Sequence, residues 1–192
     1  MSEPLELAVL KGFADILEGL GIVYAIGGSI ASSAYGRVRF TEDADVMVEH
    51  FGNKAEQFVG LLKGSYYVSE QAIQQALLQR CSFNIIHIKS AFKIDVFVCK
   101  DDVFDRQMMV RRQMLKLSDS LDKLFALVSP EDIILLKLEW YKEGGCTSQR
   151  QWDDIAGVLE VQRDKLDFEY VKKWSAVLGI NELLEKAMSE SG

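Results

Sequence analysis

Residues 24–45 read YAIGGSIASSAYGRVRFTEDAD. In this stretch an apolar run leads into a Gly-Gly-Ser turn at residues 27–29, and a helix-like run then leads to two aspartates, Asp43 and Asp45. Glycine lets the backbone approach a ligand closely, and the N-terminus of the helix after the turn carries about half a positive charge from its aligned peptide dipoles. The turn is therefore suited to binding an anion such as a phosphate.

Asp43 and Asp45 stand at the start of residues 43–49, a segment predicted to form a strand. Successive side chains of a strand point to opposite faces, so the two aspartates share a face. At ~4 Å, two carboxylates near a protein surface repel by about 4 kcal/mol. A cation between them explains the pair better than chance, and Mg²⁺ bridging to phosphate oxygens fits best. The sequence therefore predicts a metal site after the phosphate-binding turn.

A third acid is found in the middle of an apolar segment further along the chain. Residues 92–98 read FKIDVFV, which predicts a strand with Asp95 at its centre. A lone carboxylate in so apolar a strand is costly to bury unless it has a partner. A metal ion shared with Asp43 and Asp45 would be such a partner.

The order of these motifs resembles the nucleotidyltransferase superfamily, whose members carry Gly-Ser, a short helix, Asp-x-Asp and a third acid on a neighbouring strand. Here 13 residues, 30–42, separate Ser29 from Asp43. Each motif also has a simpler interpretation: the turn could be an ordinary one in which Ser29 or Ser32 caps the helix, and the acidic pair could be solvated. Order and spacing together favour the functional interpretation, and no Gly-x-Gly-x-x-Gly or Gly-Lys-Ser/Thr motif competes with it.

Composition narrows the class of protein. The 192 residues are 48% hydrophobic and 27% charged, enough for one substantial core or for a core with a helical appendage. Cys81, Cys99 and Cys146 are odd in number and far apart, so neither a disulfide framework nor a zinc site is indicated. Only His50 and His87 are present, which argues against histidine-based catalysis.

Charge and hydropathy indicate the compartment and the partners. The net charge of −7 argues against a protein that binds long stretches of nucleic acid, because phosphate contacts require a basic surface. The N-terminus, Met-Ser-Glu-Pro, does not resemble an export signal, and no apolar run reaches the length of a membrane span. We therefore expect a cytoplasmic protein with no membrane partner.

The first 128 residues are predicted to alternate helices and strands. Helical spacing of apolar residues predicts a helix over 5–20, and similar patterns predict further elements. The other predicted helices cover 52–62 and 69–80, and the predicted strands cover 22–26, 44–49, 83–88, 92–98 and two short segments within 113–128.

The last 64 residues, 129–192, are predicted to be entirely helical. Ser129 and Pro130 form a strong helix start, because serine caps the first turn and proline fits within it. This helix is expected to run to about Lys142, before Gly144-Gly145, with further helices over 148–161, 167–178 and 181–189. The expected fold is α/β (α+β): a mixed sheet flanked by helices in residues 1–128, with a C-terminal helical bundle in 129–192 packed against it.

Lys137 stands out within the predicted helix at 130–142. Helical spacing places it on an apolar stripe with Ile133, Ile134, Trp140 and Tyr141. An ammonium on such a stripe needs an anionic partner. Alternatively, its long side chain could extend from the edge of the stripe to water.

A closer resemblance covers the chain from Tyr24 to about Ala187. Residues 129–141, SPEDIILLKLEWY, and 148–159, SQRQWDDIAGVL, are similar to small bacterial nucleotidyltransferase-like proteins related to the AbiEii toxin family. In these relatives a helix lysine contacts the nucleoside triphosphate, and an aspartate of the next helix assists catalysis or binding. The resemblance implies these roles for Lys137 and Asp154.

The resemblance implies transfer of a nucleoside monophosphate from a Mg²⁺- or Mn²⁺-bound nucleoside triphosphate to an acceptor hydroxyl. The acceptor could be an RNA or tRNA end, a protein or a small molecule, and a toxin-like role would bring a cognate antitoxin or a homo-oligomer as partner. Two alternatives stay open: a non-catalytic nucleotide-binding or antitoxin-like module of the same fold, and a purely structural interaction protein. The implied catalytic residues are Asp43, Asp45, Asp95 and Asp154, the metal ligands are Asp43, Asp45 and Asp95, and the nucleotide-binding residues are Gly27, Gly28, Ser29 and Lys137.

Overall fold

The computed structural model describes residues 5–191. The first four residues, on which the prediction of no export signal partly rests, lie outside this range. Within the described part of the chain, no helix combines the length and the apolar character needed to cross a membrane.

The strands of residues 5–191 form one seven-stranded mixed sheet in the order β3-β4-β5-β2-β1-β7-β6. Strand β2 runs parallel to β5 and antiparallel to β1, and β1 pairs in parallel with β7. All strands except β3 were predicted, and the two-residue β3 is too short to show an alternating pattern. The bounds are β1 Tyr24–Ile26, β2 Asp43–Val48, β3 Tyr66–Tyr67, β4 Ser82–His87, β5 Lys93–Val98, β6 Gln113–Lys116 and β7 Leu124–Leu127.

The helices also follow the predicted pattern, with one addition. Helix α5 was not predicted, because its apolar residues lie on both sides: Met108 is buried whereas Val110 is exposed. A short 3₁₀ turn, Gly52–Lys54, precedes α3. The bounds are α1 Leu5–Gly19, α2 Gly28–Tyr35, α3 Ala55–Leu62, α4 Glu70–Gln79, α5 Val103–Arg111, α6 Pro130–Glu143, α7 Gln149–Gln162, α8 Phe168–Val177 and α9 Asn181–Glu190.

The chain divides into two compact units. The first contains the residues up to Ile26 and Thr41–Leu127, and thus the sheet with α1, α3, α4 and α5. The second contains Gly27–Phe40 and the residues from Val128 onward, and thus α2 with α6 to α9. The predicted boundary after residue 128 stays a prediction, and it differs from this division in the placement of 27–40.

Aromatic packing holds the first unit together on one face of its sheet. Phe58 of α3 contacts Phe13 of α1 and Phe83 of β4 edge to face, with ring centroids 6.1 and 6.2 Å apart. Edge-to-face pairs add about 0.5–1.5 kcal/mol each beyond the apolar area they bury. This cluster fixes which face of the sheet is the core face, and therefore which residues of β2 and β5 face away from it.

In the second unit, α2 packs closely against α7. A Cβ atom added at Gly36, the residue after α2, would lie 2.8 Å from the backbone carbon of Gly157. Only glycine permits this approach. The predicted start of α6 is confirmed: the Ser129 Oγ accepts a hydrogen bond from the Asp132 backbone N–H at 3.2 Å and donates one to Asp132 Oδ2 at 2.7 Å.

Candidate active site

Three of the predicted site residues share one face of the sheet in the first unit. Asp45 and Asp95 lie opposite each other in the register of the parallel strands β2 and β5. Two residues earlier on each strand, Asp43 lies opposite Lys93. Adjacent strands lie about 4.8 Å apart, and residues two positions apart on a strand lie about 6.6 Å apart. The intervening residues of both strands, including Ala44 and Ile94, are buried in the core. The acids therefore lie on the opposite face, where they are partly exposed.

Lys93 supplies positive charge to this acidic face. Its Nζ lies 2.7 Å from Asp95 Oδ2, in a pair whose side chains are 42% and 23% exposed. The hydrogen bond to Asp95 raises the pKa of Lys93, and the charges of Asp43 and Asp45 raise it further. Sequence inspection missed Lys93, although it lies two residues from Asp95 on the same face of β5. Only its place beside Asp43 depends on the register of two strands that are distant in the chain.

Thr41 orients the first acid of the pair. Its Oγ1 donates a hydrogen bond to Asp43 Oδ1 at 2.9 Å, just before strand β2 begins. The hydroxyl lies two residues from the carboxylate in the chain, so it restricts the rotation of Asp43 without any long-range contact. Thr41 was also missed, although its polar side chain next to an acidic pair is a signal that the sequence contains.

The donor set of this face suits a hard divalent cation. Carboxylate oxygens are the ligands that Mg²⁺ and Mn²⁺ prefer, and the strand register keeps three of them on one surface. In the arrangement seen for residues 5–191, however, no three His, Cys, Asp or Glu side chains converge closely enough to hold an ion. The Lys93 ammonium instead neutralises Asp95. The residues fit the predicted metal by type and shared face, and the metal itself stays a prediction.

The Gly-Gly-Ser turn lies in the second unit, where it begins α2. Gly28 has a φ of +53°, which favours glycine because other side chains clash there. Among the described residues no side chain caps this helix, whose N-cap is Gly27. The alternative in which Ser29 or Ser32 acts as the cap is therefore wrong: the Ser32 Oγ donates to the Ser29 carbonyl at 3.2 Å instead.

Arg39 joins the turn to α7. Its Nε donates to Asp154 Oδ1 at 2.8 Å, and its Nη2 donates to Asp154 Oδ2 at 2.9 Å. The same Nη2 also donates a hydrogen bond to Ser29 Oγ. The role of Arg39 could not be predicted from the sequence, because its partner Asp154 lies 115 residues further along the chain.

Lys137 also contacts Asp154. Its Nζ lies 2.7 Å from Asp154 Oδ2 and 2.9 Å from Gln151 Oε1, and its side chain is 2% exposed. The expected position on an apolar stripe with an anionic partner is thus confirmed, and the alternative in which the side chain reaches water is wrong.

Asp154 is ionised in this cluster. Burial alone would raise its pKa, but the hydrogen bonds from Arg39 and Lys137 outweigh burial, and its pKa is lowered. Arg39 and Lys137 thus place two cationic groups against this carboxylate. Asp153 beside it is different: it is exposed and accepts a hydrogen bond from Gln149 on its own helix at 2.8 Å.

The fold resembles solved nucleotidyltransferase structures. The antibiotic-resistance factor ANT(2'')-Ia is 11% identical over 97% of this chain and 98% of its own, with a TM-score of 0.54. An antigenic nucleotidyltransferase-like protein from Paracoccidioides brasiliensis is 17% identical over 96% of this chain and 92% of its own, with a TM-score of 0.51. No family model and no curated protein matches the sequence.

The similarity to these two solved structures shows which fold the chain has. The chain has the nucleotidyltransferase fold, a mixed α/β structure, and this confirms the fold class predicted from the sequence. The closer relationship to proteins of the AbiEii toxin family stays a prediction.

Proposed function

We propose that this protein is a metal-dependent nucleotidyltransferase that transfers a nucleoside monophosphate from a nucleoside triphosphate to an acceptor hydroxyl. The observation that carries the proposal is the shared face of Asp43, Asp45 and Asp95 on two adjacent parallel strands of a nucleotidyltransferase fold. Carboxylates so arranged repel one another and gain from a cation. Lys93 supplies only one positive charge, whereas the three carboxylates carry three negative charges.

In this mechanism Asp43, Asp45 and Asp95 would hold Mg²⁺ or Mn²⁺. The chemistry supplied by a bound ion is neutralisation of the charge that develops on the phosphates. Asp95 accepts the proton of the acceptor hydroxyl at its carboxylate. The hydroxyl oxygen bonds to the α-phosphorus, the bond from that phosphorus to the bridging oxygen breaks, and pyrophosphate leaves with the electron pair.

We assign the β- and γ-phosphates to the turn formed by Gly27, Gly28 and Ser29. Supporting this assignment, the N-terminus of α2 lacks a side-chain cap among the described residues, so its backbone N–H groups and its dipole suit an anion. Arg39, held by Asp154, places a guanidinium next to Ser29. Lys137 adds a second cationic group beside Asp154.

The acceptor remains one of three kinds: an RNA or tRNA end, a protein, or a small hydroxylated molecule. The net charge of −7 favours a small molecule or a protein over long RNA. ANT(2'')-Ia, one of the similar structures, is an antibiotic-resistance factor, so hydroxylated antibiotics belong among the acceptors tested. A toxin-like role with a cognate antitoxin would require a macromolecular acceptor.

Labelling tests the proposal. The protein is incubated with Mg²⁺, each α-³²P-labelled nucleoside triphosphate, and either a cell lysate or a panel of hydroxylated antibiotics. We expect label to move to one class of molecule with the wild type and with Glu42→Gln, which neutralises an exposed acid just before β2. We expect none with Asp45→Asn. Equal labelling by Asp45→Asn would refute the assignment of the acids.

A second candidate function is a nucleotide-binding module without turnover. The observation that favours it is the Lys93–Asp95 ion pair, because a lysine that neutralises the third acid could replace a metal permanently. Such a module would bind a nucleoside triphosphate equally well with Mg²⁺ or with a chelator. The transferase requires the metal to bind the nucleoside triphosphate. Calorimetric titrations with Mg²⁺ and with a chelator therefore distinguish the two functions.

A further inference from the structure

Arg39 lies at the centre of a hydrogen-bonded chain that runs from α2 to α7. Its guanidinium contacts the hydroxyl of Ser29 at one end and the carboxylate of Asp154 at the other. Arg39 itself is 26% exposed, whereas Asp154 is 5% exposed. The partly exposed guanidinium of Arg39 is thus held by the buried, ionised carboxylate of Asp154.

The geometry assigns Arg39 as a positioning residue that fixes Ser29 as a hydrogen-bond donor to phosphate, and Asp154 as the group that holds Arg39 in place. This inference rests on the proposed function, because it takes the turn at 27–29 as the site of the phosphates.

The donor role of Ser29 follows from the direction of its bond with Arg39. A hydroxyl has one hydrogen to donate and two lone pairs that accept. Because the Ser29 Oγ accepts from the Arg39 Nη2, the hydroxyl hydrogen is directed away from Arg39 and can be donated to another acceptor. A hydroxyl that accepts from a cation is also a stronger donor. An incoming phosphate oxygen is the acceptor that such a donor suits.

Asp154 is poorly placed to exchange protons itself. Its Oδ1 accepts from Arg39, and its Oδ2 accepts from both Arg39 and Lys137. These bonds favour the ionised form, and they hold the guanidinium through its Nε and Nη2 edge, a two-point contact that a lysine cannot reproduce. The resemblance implies that Asp154 assists catalysis or binding. Asp154 would do so by holding Arg39 in place.

Stability alone does not explain such a cluster. Replacing buried ion pairs by apolar residues is often neutral or stabilising, so a buried pair is weak support for a purely structural role. A second arginine serves for comparison. Arg37, two residues earlier, pairs with Glu160 of the same helix α7, but both of these side chains are mostly exposed. Arg37 is therefore a matched control.

A double-mutant cycle tests the inference in the full-length protein. Titration calorimetry measures binding of magnesium tripolyphosphate to the wild type, Arg39→Lys, Ser29→Ala and the double variant. Each single change is expected to weaken binding about tenfold, the value of one hydrogen bond to a charged group. The double variant should be no weaker than the weaker single variant, and Arg37→Lys should bind as the wild type does. Multiplicative effects in the double variant would overturn the inference.

The same cycle measured by urea unfolding, without ligand, separates this inference from the proposed function. If the wild type binds no tripolyphosphate, the phosphate site of the proposed function fails. Non-additive unfolding free energies for Arg39→Lys and Ser29→Ala would still support positioning, and additive ones would overturn it. If Arg39→Lys does not fold, Asp154→Asn takes its place, because loss of that carboxylate releases Arg39 and should show the same coupling to Ser29.

Discussion

Asp45 and Asp95 lie side by side in register on adjacent parallel strands, fifty residues apart in the sequence. A rigid sheet therefore fixes the spacing of the two carboxylates, and loop motion cannot separate them. Asp43 joins them on the same face, oriented by the hydroxyl of Thr41. Three acids held in this way are expected to bind a divalent cation more strongly than any of them binds the neighbouring lysine.

Removing the paired acids should abolish metal-dependent nucleotide binding. For the double variant Asp43→Asn, Asp45→Asn we expect the affinity for a magnesium–nucleoside triphosphate to fall at least about 100-fold, because two of three metal ligands lose their charge. The melting temperature should not fall, since repulsion between the carboxylates is relieved. Calorimetry measures the affinity, and Glu42→Gln is the control. Unchanged affinity in the double variant would refute the metal site.

Lys93 should compete with the metal for the acids. The change Lys93→Met is expected to tighten Mn²⁺ binding about two- to fivefold, because a partly exposed ion pair is worth up to ~1 kcal/mol. Electron paramagnetic resonance of free Mn²⁺ gives the affinity directly. Lys89→Met, which removes an exposed lysine of the β4–β5 turn, should leave the affinity unchanged. Weaker Mn²⁺ binding by Lys93→Met would mean that the lysine supports the site.

Lys137 should matter both for nucleotide binding and for stability. Lys137→Met removes one of the donors to the buried Asp154, so we expect the free energy of unfolding to fall by about 1–3 kcal/mol. Loss of the ammonium group should weaken triphosphate binding roughly tenfold or more. Lys142→Met on the same helix, which removes an exposed hydrogen bond to Gly179, is the control. A large loss of stability with unchanged affinity would show that Lys137 is purely structural.

Asp154 should make stability depend on pH in a definite direction. Its pKa in the folded protein is lowered, so its stabilising effect is present above the ordinary carboxyl pKa of about 4 and is lost as the pH falls through the lowered value. The difference in unfolding free energy between the wild type and Asp154→Asn should be largest near neutral pH and should shrink below about pH 4. Urea unfolding between pH 3 and pH 7 measures it.

The neighbouring acid provides the control for this experiment. Asp153 is exposed, so Asp153→Asn should change the unfolding free energy little at any pH. A difference for Asp154→Asn that stays constant with pH would show that the carboxylate is not ionised in the folded state.

The sequence predicts most of the fold because its signals are local. The alternation of Ile94, Val96 and Val98 with polar residues identifies β5, and Ser129 with Pro130 identifies the start of α6. Helix α5 has apolar residues on both sides and gives no such signal.

Two contacts of the candidate site, Thr41 with Asp43 and Lys93 with Asp95, are local, whereas others depend on pairings between distant segments. The position of Lys93 beside Asp43 depends on β2 lying next to β5, and the bond between Arg39 and Asp154 spans 115 residues. Periodicity in one sequence carries no information on which distant segments meet. Asp43, Asp45 and Asp95 could be named in advance because their residue types and order indicate their chemistry. Arg39 and Lys93 were not named.

The most direct test of the central claim is metal-dependent release of pyrophosphate. With Mg²⁺ and the four nucleoside triphosphates, the wild type is expected to release pyrophosphate slowly even when water is the acceptor. Asp95→Asn, which is nearly isosteric and should fold normally, is expected to release it at least about 100-fold more slowly, because it lacks the proton acceptor and one metal ligand. Equal release by the two proteins would contradict the claim that this face of the sheet carries out nucleotidyl transfer.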